Sequence, residues 1–327
     1  MRAKASLFEA VGLGLLASLF FAFTFVLNRQ MNLSGGSWTW SASLRFMFML
    51  PMLAALLVSR GGLGRVLREM RHQPAPWLVW GTVGFGLFYA PLCYASTFGP
   101  SWLVAATWQL TIVAGALLTP LSHGPRPRER RAAEGAGFGI GGLARGLPIR
   151  AILFSLVILA GVGLLQLREA GSGPKRDTFL LILFVMIAAF AYPLGNRKMM
   201  RHCDDRLSTI ERVFGMTLGS MPFWLALAVF SLASAGPPSR SQLAQTFLVA
   251  LFSGIVATLL FFKATDLVHG DMHRLAAVES TQSGEVVFSL LGGVFVFGDA
   301  IPSALGFAGL ALVVTGMLLT SLFHARS

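Results

Sequence analysis

The chain contains few charged residues: 12% of its 327 residues are Asp, Glu, Lys or Arg, whereas soluble globular proteins contain about 25%. No polar stretch is long enough to build a soluble domain with its own core. The two cysteines, Cys93 and Cys203, supply neither a disulfide framework nor a set of metal ligands. Composition therefore argues against an ordinary soluble protein and indicates no metal site.

The chain also lacks complete enzyme motifs. The glycines within 137–142 match the dinucleotide-binding pattern, but that pattern requires a preceding strand and a following helix, and here it lies in a loop rich in Gly and Arg. His269 and His273 are four residues apart without the Glu of a zinc-protease helix. The pair Asp204 and Asp205 has no second Asp-rich motif. We therefore predict no enzyme, no cofactor and no metal.

What the chain has instead is long apolar runs. A helix of about 20 apolar residues crosses the roughly 30 Å of hydrocarbon in a bilayer. Lipid offers no hydrogen-bonding partners, so each run must satisfy its own backbone as a helix. We predict an all-α membrane protein with ten transmembrane helices, at 7–27, 38–58, 77–98, 101–120, 151–167, 178–196, 207–232, 244–265, 275–297 and 300–322.

The net charge of +12 follows the predicted topology. With the N-terminus in the cytoplasm, the spans contain Arg45, Arg212 and Lys263, and the outer segments contain Arg29, Arg168, Lys175, Arg176 and Arg240. The remaining 18 of the 26 basic residues are then cytoplasmic. This bias is the positive-inside rule, and it predicts a multi-pass protein of the bacterial inner membrane with both termini in the cytoplasm. The basic residues then meet lipid headgroups, and no nucleic-acid partner is needed.

The two halves of the chain resemble each other. The first predicted span ends in Asn28-Arg29 with Arg45 following, and the sixth ends in Asn196-Arg197 with Arg212 following. The fourth and ninth spans align from Gln109 and Gln282, with Val and two Leu coinciding. Because each half contains five spans, the second copy must be inverted relative to the first. Inverted repeats build secondary transporters, with the site near the midplane of the bilayer.

This pattern divides the chain into four parts. Residues 1–121 hold helices 1–4 of the first repeat, and 122–150 form a flexible cytoplasmic loop. Helix 5 of the first repeat follows at 151–170, and 171–327 form the second repeat with helices 6–10.

Several segments resemble the bacterial multidrug resistance efflux transporter family, which belongs to the drug/metabolite transporter superfamily. The first two spans carry the likeness in 21–29 and 35–46, and 147–161 is similar to the family's fifth span. The stretch 285–299 resembles the Glu-Pro … Gly-Glu ending of EamA-type exporter halves, but Val286 replaces Pro and Asp299 replaces Glu. The resemblance implies ten helices in two five-helix repeats around a central cavity, and export of small solutes.

Glu285 is the first candidate site residue, because it lies about ten residues into the ninth predicted span. A carboxylate at mid-bilayer costs several kcal/mol and usually marks a transport pathway. Burial favours its neutral form, so it can take up and release a proton near neutral pH. Helical spacing places Thr281, Gln282 and Ser289 beside it. The alternative is a structural carboxylate tied to a neighbouring span.

Other polar and aromatic side chains within the spans have two open interpretations each. Arg45 either extends outward to water or pairs with a carboxylate in the bundle. Gln109 and Gln282 either bind a solute or join helices to each other. Trp108 either stacks on a flat or cationic solute or packs in the core.

We therefore predict a secondary active transporter that exports small organic solutes, drug-like or cationic, across the inner membrane with proton coupling. The alternatives are an exporter of amino acids or related metabolites and, as a different class, a membrane-embedded enzyme or scaffold. The predicted partners are a small-molecule substrate and the lipid bilayer. The sequence leaves open whether the protein is a monomer or a homodimer.

Overall fold

The computed structural model describes residues 7–122, 154, 156–165, 174–203, 206–268 and 272–324. Within this part of the chain there are helices and short connecting turns but no strands. The helices are α1 (Leu7–Leu33), α2 (Trp38–Ser59), α3 (Leu63–His72), α4 (Pro74–Ala95), α5 (Ser101–Trp108), α6 (Leu110–Ser122), α7 (Leu156–Leu165), α8 (Lys175–Cys203), α9 (Thr209–Gly219), α10 (Met221–Ala235), α11 (Arg240–Leu267), α12 (Met272–Ser280), α13 (Gly284–Phe297) and α14 (Ala304–His324).

The all-helical membrane protein predicted from the sequence is confirmed. Among the described residues, α1, α2, α4, α8 and α11 are each long and apolar enough to cross a bilayer, and α9 with α10 forms a sixth such element, bent by 45°. The other apolar runs coincide with shorter helices or helix pairs. Ten membrane crossings therefore remain a prediction. The predicted loop beyond Ser122, the Asp204-Asp205 pair and His269 lie outside the described residues.

The fourth predicted span is interrupted at Gln109, between α5 and α6. The side-chain amide of Gln109 donates to the carbonyl of Ala105 at 3.1 Å, which is the acceptor that the Gln109 backbone N–H would use in a regular α-helix. That N–H donates instead to the carbonyl of Ala106 at 3.2 Å. The competing side chain explains a break that apolarity could not reveal.

Three further irregular turns lie within the bundle. A π-helical turn occurs in α4 at Thr82–Gly86 and another in α11 at Ala250–Val256, and a 3₁₀ turn at Thr281–Ser283 separates α12 from α13. At this last turn the hydroxyl of Thr281 donates to the Val278 carbonyl at 2.6 Å. Such turns bend transmembrane helices and often occur at functional sites.

Two helices, α1 and α8, organise the packing. Helix α1 packs along α11 and α13, whereas α8 packs along α4 and α6. We name the end of the bundle where α1 begins the near end and the end where α1 finishes the far end. At the far end the amide of Asn32 donates to the Ser96 hydroxyl at 2.8 Å. At the near end the guanidinium of Arg206 binds Glu69 at 2.9 Å.

The buried carboxylate Glu211 shows how a polar residue starts a helix in this apolar setting. Ser208 and Glu211 form a capping box at the start of α9, in which the Glu211 carboxylate accepts from the Ser208 N–H at 2.7 Å. The guanidinium of Arg65 on α3 lies 3.4 Å from the same carboxylate. The capping bonds satisfy backbone donors that have no partner within the helix.

A close contact between the two halves lies where Gly84 on α4 meets Gly195 on α8. A Cβ atom added to Gly84 would lie 3.2 Å from the Cα atom of Gly195, and one added to Gly195 would overlap the backbone of Gly84. Small residues let transmembrane helices approach to this distance and gain dispersion energy.

We expect Gly195→Ala to lower the thermal stability of the purified protein, because the new methyl group forces α4 and α8 apart. Overpacking of this kind costs about 1–3 kcal/mol. The matched control is Gly163→Ala on α7, where no atom lies within 4 Å of the added Cβ. The melting temperature in detergent should fall for the first variant only. Equal melting temperatures would contradict the close contact.

Candidate functional site

A cavity of about 370 Å³ lies in the centre of the bundle, a size that suits a small organic molecule. Its walls come from both halves of the chain, since α1, α2, α4, α5 and α6 contribute residues on one side and α8, α9, α11 and α13 on the other, with the turn before α13. Most of the lining is aromatic or aliphatic. The charged and amide groups in it are Arg45, Asn196, Arg212, Gln282 and Glu285.

Among the described residues, Glu285 is the only acidic side chain in this lining. It follows the 3₁₀ turn Thr281–Ser283 and is 8% exposed. No described residue donates a hydrogen bond or forms an ion pair with its carboxylate. Lipid-embedded carboxylates without a protein partner are costly when charged, so this group is suited to hold a proton or to meet a cationic group of a solute.

Arg45 reaches the cavity from α2 and is 7% exposed. Its Nη2 atom donates to the Ser253 hydroxyl at 3.1 Å, its Nη1 atom lies 3.5 Å from the Thr24 hydroxyl, and its Cζ atom lies 4.1 Å from the ring centroid of Tyr89. Within the described residues it contacts no carboxylate. Neither sequence interpretation therefore describes Arg45, because α1 and α11 provide neutral hydroxyls inside the bundle.

Three aromatic rings form one wall of the cavity. The ring centroids of Phe88 and Trp108 are 5.0 Å apart, those of Phe88 and Tyr192 are 4.9 Å apart, and those of Trp108 and Tyr192 are 5.7 Å apart. These distances are typical of favourable aromatic pairs. Trp108 thus both packs against its neighbours and lines the cavity, so its two sequence interpretations are compatible.

Of the other residues singled out from the sequence, only Gln282 belongs to the lining. The amide of Gln109 bonds to its own helix, and it is Gln282 that faces the cavity. Thr281 points away toward α1, where a Cβ atom on Gly14 would collide with its hydroxyl. Ser289 is fully buried. Of the polar stripe expected around Glu285, the structure therefore brings only Gln282 into the cavity with it. The 3₁₀ turn changes the register at Thr281, whereas Ser289 lies on the same α-helix as Glu285 and is buried.

Sequence reasoning missed several lining residues, notably Thr24, Phe88, Tyr192 and Ser253. It also missed Tyr89, whose hydroxyl accepts from the Asn28 amide at 3.0 Å next to Arg45. Two signals were available. The chain has only three tyrosines, so a tyrosine in an apolar span is unusual, and Thr24 lies one helical turn before Asn28. Phe88 carries no such signal among 27 phenylalanines.

The cavity extends toward the near end. Its lining includes Met200 close to the end of α8, Thr209 at the start of α9 and Phe262 close to the end of α11. On α1 the lining stops at Phe25, and on α11 it begins at Ser253. Among the described residues, the lining of the cavity therefore reaches toward the near end and stops short of the far end.

Asp299 closes part of the far end by binding the start of α5. Its carboxylate accepts from the Ser101 backbone N–H at 3.0 Å and from the Ser101 hydroxyl at 2.8 Å. Beside it, the indole N–H of Trp102 donates to the Ala300 carbonyl at 3.1 Å. The carboxylate also lies favourably at a helix N-terminus. Each of these bonds joins the first half of the chain to the second.

A second set of bonds joins the halves at the same end, around the start of α2. The amide of Gln242 donates to the Ser37 carbonyl at 2.7 Å, and the indole N–H of Trp40 donates to the Gly236 carbonyl at 2.8 Å. The structure is therefore closed at the far end by several hydrogen bonds that rearrangement would break.

The described residues contain no group of three or more His, Cys, Asp or Glu side chains placed to hold a metal ion. The lining of the cavity accordingly offers hydrogen bonds, one carboxylate, two guanidinium groups and aromatic faces. This chemistry is suited to an organic solute.

Apolar helices of transmembrane length around a solute-sized cavity define the class of protein as a membrane transporter. A comparison with protein families agrees: residues 8–326 match the EmrE family, described as "Putative multidrug resistance efflux transporter". The chain belongs to this family. Its members are transporters and not enzymes, which places the chain in a membrane.

Relatives extend over most of the chain. It is 50% identical over 318 residues to "Uncharacterized protein YjlA" of Bacillus subtilis (strain 168), covering 95% of this chain and 94% of that protein. It is 44% identical over 282 residues to the "Uncharacterized 42.1 kDa protein in intracellular alkaline protease 3'region" of Shouchella clausii, covering 86% and 71% of the two chains. A crystal structure with 19% identity superposes with a TM-score of 0.60 over 97% of this chain and 98% of that one, so the two share a fold.

Proposed function

We propose that the protein is a secondary active transporter that exports small organic solutes across the bacterial inner membrane, driven by proton exchange at Glu285. The observation that carries this proposal is the central cavity, whose described lining reaches toward one end of the bundle, stops short of the other, and contains a single carboxylate. A protein of this kind carries a solute by exposing the cavity to each side of the membrane in turn.

The packing supports two inverted repeats. Predicted helices 1 and 6 of the two repeats are α1 and α8 in the structure. If these two correspond, the contact of α1 with α11 matches that of α8 with α4. The contact of α1 with α13 likewise matches that of α8 with α6, and all four contacts are present. The irregular turns also occur at matching positions in the two halves. The π turn at Thr82–Gly86 corresponds to the one at Ala250–Val256, and the break at Gln109 to the 3₁₀ turn at Thr281–Ser283. An exchange of roles between the halves would open the far end and close the near end.

We infer that the near end faces the cytoplasm. Of the basic residues that the structure describes near the two ends, the near end has the larger share, including Arg60, Arg65, Arg68, Arg71 and Arg201. Positive residues are retained on the cytoplasmic side during insertion. On this topology the cavity opens to the cytoplasm, which is the side from which an exporter collects its solute.

Glu285 provides a physical basis for coupling. A charged carboxylate in this apolar cavity needs a counter-charge, which either a proton or a cationic group of the solute supplies. If the proton and the solute exclude each other, the cavity passes from one side of the membrane to the other with either one bound. Protons then move inward as solute moves outward. Drug-like or cationic solutes suit Glu285. The second candidate function, export of amino acids or related metabolites, is favoured by the guanidinium of Arg45 in the same cavity.

The topology predicts which side of the membrane reaches the cavity. A cysteine at Thr258, which lines the cavity on α11, should react with a membrane-impermeant thiol reagent in inside-out vesicles and not in intact spheroplasts. Val104→Cys, at a fully buried position on α5, is the control and should react in neither. The native Cys93 and Cys203 are buried. Faster labelling of Thr258→Cys from the outside would reverse the proposed orientation.

The coupling role predicts the effect of Glu285→Gln, which keeps the shape of the side chain but cannot ionise. In proteoliposomes, the parent should accumulate ethidium or phenylalanine when a pH gradient is imposed, and the variant should lose at least 90% of this accumulation, about the tenfold loss expected for one missing catalytic or coupling group.

The matched control is Glu279→Gln, which changes an exposed glutamate two turns earlier on α12 and should transport as the parent does. Gradient-driven accumulation by Glu285→Gln at the parent's level would show that Glu285 is structural. A parent protein that moves neither probe would count against the exporter itself.

A further inference from the structure

We propose that Arg45 binds an acidic group of the solute, so that the compounds preferred by the cavity carry an acidic group beside an aromatic or apolar body. This inference names the class of solute that the cavity binds. It rests on the proposed function for the claim that the solute is exported. Binding itself is argued from the geometry of Arg45 and is tested separately.

Arg45 is a buried cation that contacts no carboxylate among the described residues. Arg45 is 7% exposed and carries a permanent positive charge, since a guanidinium does not lose its proton in a protein. Its polar contacts within the described chain are the neutral hydroxyls of Thr24 and Ser253, and the ring face of Tyr89 lies beside it. A buried cation without an anionic partner is destabilising. A protein that retains such a group gains most when an anion arrives with the ligand.

Arg45 also has hydrogen-bonding capacity that the described residues do not use. The Nη1 and Nη2 atoms of Arg45 contact hydroxyls, but its buried Nε atom has no hydrogen-bond partner. Buried donors are rarely left in this state unless a ligand or a water molecule completes them. The N–H groups of a guanidinium form a planar fork that matches the two oxygens of a carboxylate. Because Arg45 lines the cavity, a solute carboxylate can reach it directly.

The rest of the cavity lining also suits a solute of this kind. The rings of Phe88, Trp108 and Tyr192 form a wall against which an aromatic or apolar body packs. The lining contains two guanidinium groups, those of Arg45 and Arg212, and the one carboxylate of Glu285. A solute with an acidic group finds in Arg45 a partner that a solute with only a cationic group does not.

The test is binding of three probes of the same shape to the purified full-length protein in lipid nanodiscs, measured by calorimetry. Phenylpropionate carries a carboxylate, phenylpropylamine carries an ammonium group, and phenylpropanol is neutral. The parent should bind phenylpropionate most tightly. Arg45→Gln should weaken phenylpropionate binding roughly tenfold to a hundredfold, as expected for loss of hydrogen bonds to a charged group, and should leave phenylpropanol binding within about twofold.

Two more variants separate binding from folding. Arg45→Lys keeps the charge but not the fork, so it should retain part of the preference for phenylpropionate over phenylpropanol. Arg29→Gln is the matched control, because Arg29 donates to the Ser96 and Thr97 carbonyls at the far end and does not line the cavity. Its affinity for all three probes should equal that of the parent.

The proposal is overturned if the parent prefers phenylpropylamine, if it does not bind phenylpropionate, or if Arg45→Gln weakens all three probes equally, which would indicate a structural role. The exporter hypothesis fails in a different way. A parent that binds phenylpropionate through Arg45 but does not carry it into proteoliposomes supports the binding site and contradicts export.

Discussion

Burial of charge in an apolar helix bundle is the constraint on which the site depends. Arg45 and Glu285 both line the central cavity, each less than a tenth exposed, in a chain whose surroundings offer little solvation for either. The partners that make Arg45 tolerable come from both halves, since Thr24 belongs to α1 and Ser253 to α11. The polar contacts of Arg45 therefore lie where the two halves meet, and a movement of one half against the other changes its environment.

The two ends of the bundle differ in how the halves of the chain meet. At the far end, Asp299 and Gln242 join the halves through hydrogen bonds to the turns before α5 and α2. At the near end, the lining continues to Met200 and Thr209. An exporter alternates between such a state and its mirror image, and the bonds at the far end are few enough to be exchanged for equivalent ones at the near end. On the proposed function, solute and proton act by stabilising one state over the other.

The sequence predicts the helical class well because the bilayer permits few solutions. Apolar length and backbone satisfaction give the helices and most of their positions. The side chains of the site are harder to place. Gln109 matches Gln282 in sequence, yet its amide turns back onto its own helix while Gln282 faces the cavity. Thr281 has the spacing of a stripe with Glu285, but a 3₁₀ turn changes the register between them. Local hydrogen bonds of this kind leave no apolar pattern. The surroundings of Arg45 depend on which helices pack together, which spacing along one helix does not encode.

The central claim is that the two halves exchange access to one cavity. It is tested most directly by spin-label distances in nanodiscs, using one label pair at each end of α1 and α8: Phe8 with Arg201 at the near end and Leu33 with Arg176 at the far end, in a background without Cys93 and Cys203. On changing from alkaline to acid pH, with or without a bound organic acid, we expect the populations of the two distances to change in opposite directions, the near-end pair shortening as the far-end pair lengthens. Distances that stay fixed under all conditions, or that lengthen and shorten together, would contradict alternating access.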